Sequence, residues 1–408
     1  MEKTNWIILA SEGRGNQYGV GTFIRQLSAG LVKKEEIAVF VLSIGIEKEK
    51  AFEIKKEKGI TILYIPLTEQ IRETDTRKNQ ERIAGSIARV VLQYISPAEI
   101  NVVHMNFIFQ YFIAREFKQK LNGLVLFTQH VFTFDETFNS NYFDTEQETY
   151  HLADRIVTVT RHGKEHLARK GVNKNKIRVI FNGIDPAPFN QKYPINIKEK
   201  YGLPENEYLI LFSGRIDPVK GLDYLASAFE RLLKRLPDCR LVIAGNGNFE
   251  SLIKATCRFS SRISFLGFIP FEDLALLYHA ATIGVLPSRE EHCSYVALEM
   301  LFCGLPVVAS NLGGLKEIFI HNENAFLVNM VPAPANLYKT APDVDQLAGF
   351  MYELLLNEPL RQEFSQNALA RANLIFTKKT MVKNYFELIG NLKVLNPGKQ
   401  KTGSLPRS

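Results

Sequence analysis

The sequence predicts an α/β protein of two doubly wound domains, each built on a mostly parallel sheet. Three observations carry this. Short apolar runs alternate with helical stretches from Trp6 to about Leu392. The chain has 408 residues, enough for two domains of ordinary size. Near its middle the proline-rich, turn-prone stretch PAPFNQKYP breaks the alternation, which sets the expected domains at 1–188 and 189–375.

In chain order, Trp6–Ala10 reads as a buried first strand. The loop SEGRGNQYGVG follows, then a helix from about Thr22 to Lys33. Gly13, Gly15, Gly19 and Gly21 let the backbone approach a ligand closely at that helix's start, although their spacing is not the GxGxxG dinucleotide fingerprint. Strands are expected at Ile37–Ser43, Thr61–Ile65, Asn101–His104, Leu124–Thr128, Arg155–Val159 and Arg178–Ile180, with a helix over Gln80–Ile95. In such sheets ligands gather at the carboxyl ends of the strands. His104 and His130 stand at two of those ends, where a histidine is commonly a satisfied structural residue.

The second half begins with the strand Tyr208–Phe212 and the loop SGRIDPVKG. Its Arg215 fork and Lys220 point charge suit a diphosphate, with Gly214 and Gly221 freeing the backbone. The plainer reading is two exposed bases in a turn. Strands Leu241–Ala244 and Ile263–Gly267 and a helix over Phe271–Ala280 follow. Asp343-Val344-Asp345 precedes the amphipathic helix Gln346–Leu356, so capping explains it and no metal site is expected. Helices are expected over Glu358–Asn373 and Lys378–Leu392, and the polar tail 394–408 is expected to be disordered.

One stretch, Leu286–Glu317, holds a strand end, a polar loop, a helix N-capped by Ser294 over Tyr295–Phe302, and a further strand, Leu305–Ala309. That unit binds phosphorylated ligands in open α/β sheets. Glu291 and Glu299 lie eight residues apart, roughly 12 Å if the span were all helix. A glycosidase pair needs about 5–9.5 Å, so they read as two grips on one long ligand. The amides of Tyr295 and Val296 lie between them and can face a diphosphate. Glu299 can accept hydrogen bonds from a vicinal diol such as a ribose. Against this, Glu291 reads equally as a solvated carboxylate, and Glu299, inside VALEMLFCGLPVVA, as a buried group with a partner.

Composition bounds the rest. Charged residues make up 23% and hydrophobic residues 46%, as in an ordinary globular chain. No stretch reaches about 18 apolar residues, and the N-terminal run is too short for a signal peptide. Cys239, Cys257, Cys293 and Cys303 form neither a CxxC pair nor a framework, which points to a reducing cytoplasm. The net charge of +7 suits anionic small molecules, a membrane surface or nucleic acid without choosing among them. The segment Arg161–Arg178 concentrates seven cations against Glu165. A solvated face is the default reading and a peripheral contact with anionic lipid at the inner face of the membrane the sharper one.

Glu291-x7-Glu299, preceded by Pro287-Ser288 and followed by Gly304-Leu305-Pro306-Val307-Val308-Ala309, Gly313-Gly314 and Glu317, resembles the signature of retaining GT-B glycosyltransferases of family 4. Gly214-Arg215-x4-Lys220-Gly221 and Asn182-Gly183-Ile184-Asp185 match further elements of that family. The resemblance covers nearly the whole chain and implies two Rossmann-like domains facing a central cleft. The last helix, about 376–393, would return to the first domain. It implies sugar transfer from a nucleoside diphosphate sugar, as substrate and with no separate cofactor, to a hydroxyl acceptor, with no nucleic-acid partner. Glu291 would contact the sugar and Glu299 the ribose. The backbone from Leu266 through Phe268 to Ile269 would meet the base, and Gly19 and Gly21 the donor phosphate. His130 would sit beside the transferred sugar, although Val131 stands where the family often has Asp. Cys293-Ser294 replaces the family's usual Phe-Gly. A nucleotide-sugar epimerase of the same fold and a non-catalytic nucleotide-sugar binding module are the alternatives.

Overall fold

The structure, a computed structural model, describes residues 3–11, 19–45, 52–67, 76–96, 99–121, 123–131, 140–190, 195–333 and 340–395. The chain divides into two compact units, Met1–Gly183 with Lys378–Ser408, and Ile184–Thr377.

Unit 1 is built on eight strands: β1 Thr4–Ser11, β2 Ile37–Gly45, β3 Glu53–Glu57, β4 Ile60–Pro66, β5 Ile100–Met105, β6 Leu124–Gln129, β7 Arg155–Thr158 and β8 Ile177–Val179. They lie in the order β3-β4-β2-β1-β5-β6-β7-β8, all parallel except the β3–β4 pair. β1 is central, and Trp6 through Leu9 are fully buried because helices cover both faces of a parallel sheet. β3 was not foreseen from sequence. EIKKE has one apolar residue, and all five positions are exposed, so pairing with β4 alone makes it a strand.

The last helix, Lys378–Leu395, packs in unit 1 against the helix Gly19–Leu31. Gly30 admits it: a β-carbon there would come within 2.3 Å of Val382. Tyr385, fully buried, places its hydroxyl 2.9 Å from Thr128 Oγ1 at the end of β6. The helix runs through Leu395, two residues into the stretch read as tail, and 396–408 lie outside the described residues.

Unit 2 carries β9 Tyr208–Ser213, β10 Cys239–Ala244, β11 Ile263–Gly267, β12 Ile283–Leu286, β13 Val307–Ser310 and β14 Ala325–Val328. The order β11-β10-β9-β12-β13-β14, all parallel, is the Rossmann order 3-2-1-4-5-6. The topological switch point lies between β9 and β12, and ligands bind beyond the strand ends at that point.

The units part between Gly183 and Ile184, ahead of the 188/189 boundary read from the proline-rich stretch. Ile184 is tied to unit 2, since it bridges Thr377 and donates its amide to the Phe376 carbonyl at 3.0 Å. Phe189 is likewise core, packed on Phe271 and Phe302. Prolines mark a turn here, whereas burial decides which unit owns it.

Candidate functional site

The switch point of unit 2 gathers most of the residues singled out from sequence. After β9 the chain turns through Gly214 and Arg215 into a short 3-10 turn, Pro218–Lys220. Asp217 caps that turn by accepting from the Val219 amide at 3.1 Å, and its other oxygen meets the Arg215 guanidinium at 3.1 Å. The turn presents Lys220, whose ammonium lies 2.5 Å from Glu291 Oε2 in the loop after β12. Ser288 Oγ reaches the same carboxylate oxygen at 3.4 Å. Side-chain exposures of 18% for Lys220 and 15% for Glu291 place the pair below the surface, where each ion relies on the other. The sequence sets Lys220 with Arg215 on the diphosphate and does not pair it with Glu291; the fold couples Lys220 to Glu291 directly.

The backbone fixes that coupling. Arg289 N–H donates to the Val219 carbonyl at 2.8 Å, and Gly314 N–H to the Glu291 carbonyl at 3.1 Å. Gly221, at φ +66°, leaves no room for a side chain, because a β-carbon would sit 2.1 Å from the Pro287 carbonyl oxygen. Gly313, at φ +39°, does the same against the Glu291 carbonyl at 2.4 Å. Two glycines therefore let neighbouring loops close on the Glu291 loop from both sides.

Beyond Glu291, Ser294 caps the helix Tyr295–Phe302, its hydroxyl accepting from the Ala297 amide at 3.3 Å. Tyr295 and Val296 are first-turn residues, at the end of the helix that carries its positive pole. Glu299 follows one turn in. Its Oε2 accepts from the Tyr278 hydroxyl at 2.8 Å, and Tyr278 in turn lies 2.7 Å from Ser213 Oγ at the end of β9. Burial pushes the Glu299 carboxyl up to about 7, and the Tyr278 hydrogen bond opposes this in part. Sequence reasoning foresaw a buried Glu299 with a partner but missed Tyr278 and Ser213. In the apolar run LALLYHA a tyrosine reads as core, and nothing in the sequence says where its hydroxyl points.

Leu266 and Phe268 flank Gly267 at the end of β11, and Phe268 is 75% exposed. β11 stands three inter-strand spacings from β12, about 14 Å. A ligand touching both ends must be extended. An anion at the first turn of the helix, a polar group at Glu299 and an aromatic ring near Phe268 is the pattern such a surface can hold.

In unit 1, Gly19 and Gly21 open the helix Gly19–Leu31 instead of lying in the loop before it, and Gly13 and Gly15 lie outside the described residues. His130 is buried after β6, edge-on to Phe23 at 4.6 Å between ring centroids. Its Nε2 lies 3.0 Å from Asn106 Oδ1, while Asn106 Nδ2 donates to the Leu9 carbonyl, so Nε2 is the protonated nitrogen. His104 is a satisfied structural residue. Trp6 Nε1 donates to its Nδ1 at 3.3 Å, its Nε2 donates to Thr128 Oγ1 at 2.7 Å, and burial pushes it down to about 3.

A model of glycosyl transferases group 1 matches residues 195–371, and one of glycosyltransferase family 4 matches residues 18–188. The chain belongs to the family 4 glycosyltransferases. An uncharacterized glycosyltransferase of Methanocaldococcus jannaschii is 35% identical over 182 residues, 43% of this chain and 46% of that protein. A D-inositol 3-phosphate glycosyltransferase of Acidothermus cellulolyticus is 29% identical over 240 residues, 56% of this chain and 51% of the relative. The chain thus spans about half the length of the curated relatives it matches. Among solved structures, a sucrose-phosphate synthase from Thermosynechococcus elongatus superposes with a TM-score of 0.78 at 21% identity, covering 96% of this chain and 100% of that one. Anabaena HepE, solved with UDP-glucose, gives 0.74 at 17%, covering 95% and 99%. These likenesses establish the GT-B fold.

Other features of this family 4 chain resolve differently. Asp343 caps the helix Val344–Leu356, accepting from the amides of Asp345 and Gln346, and Asp345 pairs with Arg231. Among the described residues no cluster of three or more His, Cys, Asp or Glu is arranged to hold a metal ion. The basic segment is partly consumed internally. Lys170 pairs with Glu146 at 2.8 Å, and Lys176 donates to the carbonyls of Tyr150, His151 and Ala153 at the end of the helix Ser140–Leu152. No helix among the described residues is long and apolar enough to cross a membrane.

Proposed function

We propose that this chain transfers a hexose from a nucleoside diphosphate sugar to a hydroxyl acceptor, with retention at the anomeric carbon and without a metal ion. The observation that carries this is the arrangement at the switch point: Lys220 and Glu291 paired at 2.5 Å beside a capped helix whose Glu299 stands one turn in. In this reading the diphosphate meets the first-turn amides of Tyr295 and Val296 with Arg215 and Lys220. Glu299 takes the ribose hydroxyls, the backbone at Leu266 and Phe268 meets the base, and Glu291 the sugar hydroxyls. HepE was solved with UDP-glucose, which makes that donor the first to try. His130 is assigned to the sugar on the family resemblance. Gly19 and Gly21, in the first turn of their helix, suit a close approach to the donor phosphate.

The C1–O bond to the phosphate breaks and a C1–O bond to the acceptor forms on the same face. The acceptor's proton goes to the leaving phosphate oxygen, which Arg215 and Lys220 hold as its charge develops. In this reading Glu299 is given to the ribose and Glu291 to sugar hydroxyls, so neither serves as the nucleophile that a double displacement needs.

The test is incubation with a panel of nucleotide sugars, with and without hydroxyl acceptors including inositol phosphates, followed by NMR of the product. The expected result is acceptor-dependent release of nucleoside diphosphate and an α-linked product from an α-linked donor. A β-linked product refutes retention. Isomerised sugar from donor alone identifies an epimerase, and binding without turnover a binding module.

A further inference from the structure

We infer that Tyr278, braced by Ser213, is a positioning residue for Glu299, fixing its carboxylate so that one oxygen is presented to the ribose diol of a nucleotide sugar. The inference rests on the donor-site reading above and deepens it. It stands on a hydrogen-bonded chain across three elements: Ser213 at the end of β9, Tyr278 near the end of the helix Phe271–Ala280, and Glu299 on the helix Tyr295–Phe302.

The direction of the chain follows from inventory. Once ionised, the Glu299 carboxylate only accepts, so the single phenolic proton of Tyr278 then goes to Glu299 Oε2. The Ser213 hydroxyl must then donate to the Tyr278 oxygen. Tyr278 is 1% exposed, so neither water nor rotation offers its proton another place. Oε2 is thereby committed, and Oε1 has no partner among the described residues. A carboxylate otherwise turns freely about its last torsion, which is broad and shallow. Holding one oxygen removes that freedom before a diol arrives, and a pre-ordered acceptor binds with less entropy lost. A buried tyrosine serving packing alone needs only some acceptor for its proton. Here the acceptor is a carboxylate in the candidate site, and the brace comes from the strand that bounds the switch point.

The titratable groups facing Glu299 are Tyr278 and, at the end of its own helix, Cys303. Burial pushes both upward, so both stay neutral across the working range. Tyr278 therefore acts on Glu299 through its hydrogen bond, which favours the ionised form, and losing the bond makes the carboxyl harder to ionise.

Tyr278→Phe keeps the ring and removes the donor. Two measurements are made on the full chain. The first is the titration of the Glu299 carboxyl by carbon-13 NMR, its resonance identified by its absence in Glu299→Gln. The second is the affinity for the nucleotide sugar that the wild type binds, measured by calorimetry between about pH 6 and 8.5. The expected result is a titration midpoint moved to higher pH and affinity lowered about ten-fold near neutrality, recovering as pH rises. Ser213→Ala, a gentler change, moves both in the same direction by less and stands in if the first variant folds poorly. An unmoved midpoint in both variants, or a loss equal at every pH, overturns the positioning role. A wild type that binds no nucleotide sugar overturns the donor-site reading and this inference with it; binding with unmoved midpoints overturns this inference alone.

Discussion

Glu299→Gln should make unit 2 more stable at pH 8 and less so at pH 5. The carboxyl is pushed from an ordinary 4.5 to about 7 by burial. Below pH 4.5 it is protonated in both folded and unfolded chain, and burial costs nothing through ionisation. Between about 4.5 and 7 the unfolded chain ionises while the folded one holds its proton, so stability falls as pH rises. Above about 7 both are ionised and the loss is complete. At about 1.4 kcal/mol per pH unit the full gap is an upper bound of about 3 kcal/mol at pH 8 and about 1 kcal/mol at pH 5. The residue keeps partial access to water, which lowers the pH 8 figure to roughly 1–3 kcal/mol. For a domain of this size 1 kcal/mol moves Tm by about 2–4 °C, so the variant should gain roughly 2–12 °C at pH 8. Glutamine keeps an oxygen for the Tyr278 hydroxyl, so the bond at 2.8 Å has an acceptor in both proteins. Differential scanning calorimetry without nucleotide reads the effect. An equal shift at pH 5 and pH 8, or a lower Tm at pH 8, refutes the reasoning. The same variant should lose donor use, which would make Glu299 a group that costs stability for binding.

Lys220→Met removes the ammonium and leaves Glu291 below the surface without its partner. We expect kcat/KM for the donor to fall roughly ten- to a hundred-fold, since a charge-assisted hydrogen bond is worth about 1.5–3 kcal/mol, and steady-state kinetics on folded protein would show it. Asp343→Ala should lower Tm through loss of an N-cap worth about 1 kcal/mol and leave donor turnover unchanged, and turnover should persist in EDTA. Turnover abolished by EDTA and restored by Mg²⁺ would bring Asp343 and Asp345 back as metal ligands.

How much was legible follows from where the signal lies. Most strands of both sheets were readable because buried parallel strands are continuous apolar runs, as in Tyr208–Phe212 and Leu124–Thr128, whereas β3 and β14 were not read. The helix Tyr295–Phe302 was readable from Ser294 at one end and Cys303-Gly304 at the other. The helices Tyr111–Lys120 and Leu222–Leu233 went unread, since apolar stretches such as YFIA and LASAF do not by themselves choose between strand and helix. Arg215, Lys220, Glu291 and Glu299 were legible as chemistry-bearing residues in loops and at a helix start. The start of the first helix at Gly19 was not, because glycine discourages helix in isolation and only packing overrides it.

Periodicity and motif spacing, both local, determined that this chain is a two-unit α/β protein with anion-suited loops after particular strands. Three things needed the tertiary structure. The order β11-β10-β9-β12-β13-β14 puts the loops holding Lys220 and Glu291 side by side although the two residues lie far apart in sequence. The approach of Gly221 to Pro287 and of Gly313 to Glu291 sets the loops' spacing. The meeting of Ser213, Tyr278 and Glu299 from three elements turns a tyrosine that reads as core into a partner for a carboxylate. In each case the deciding quantity is a distance between residues remote along the chain, fixed by sheet order and packing, and no local pattern encodes it.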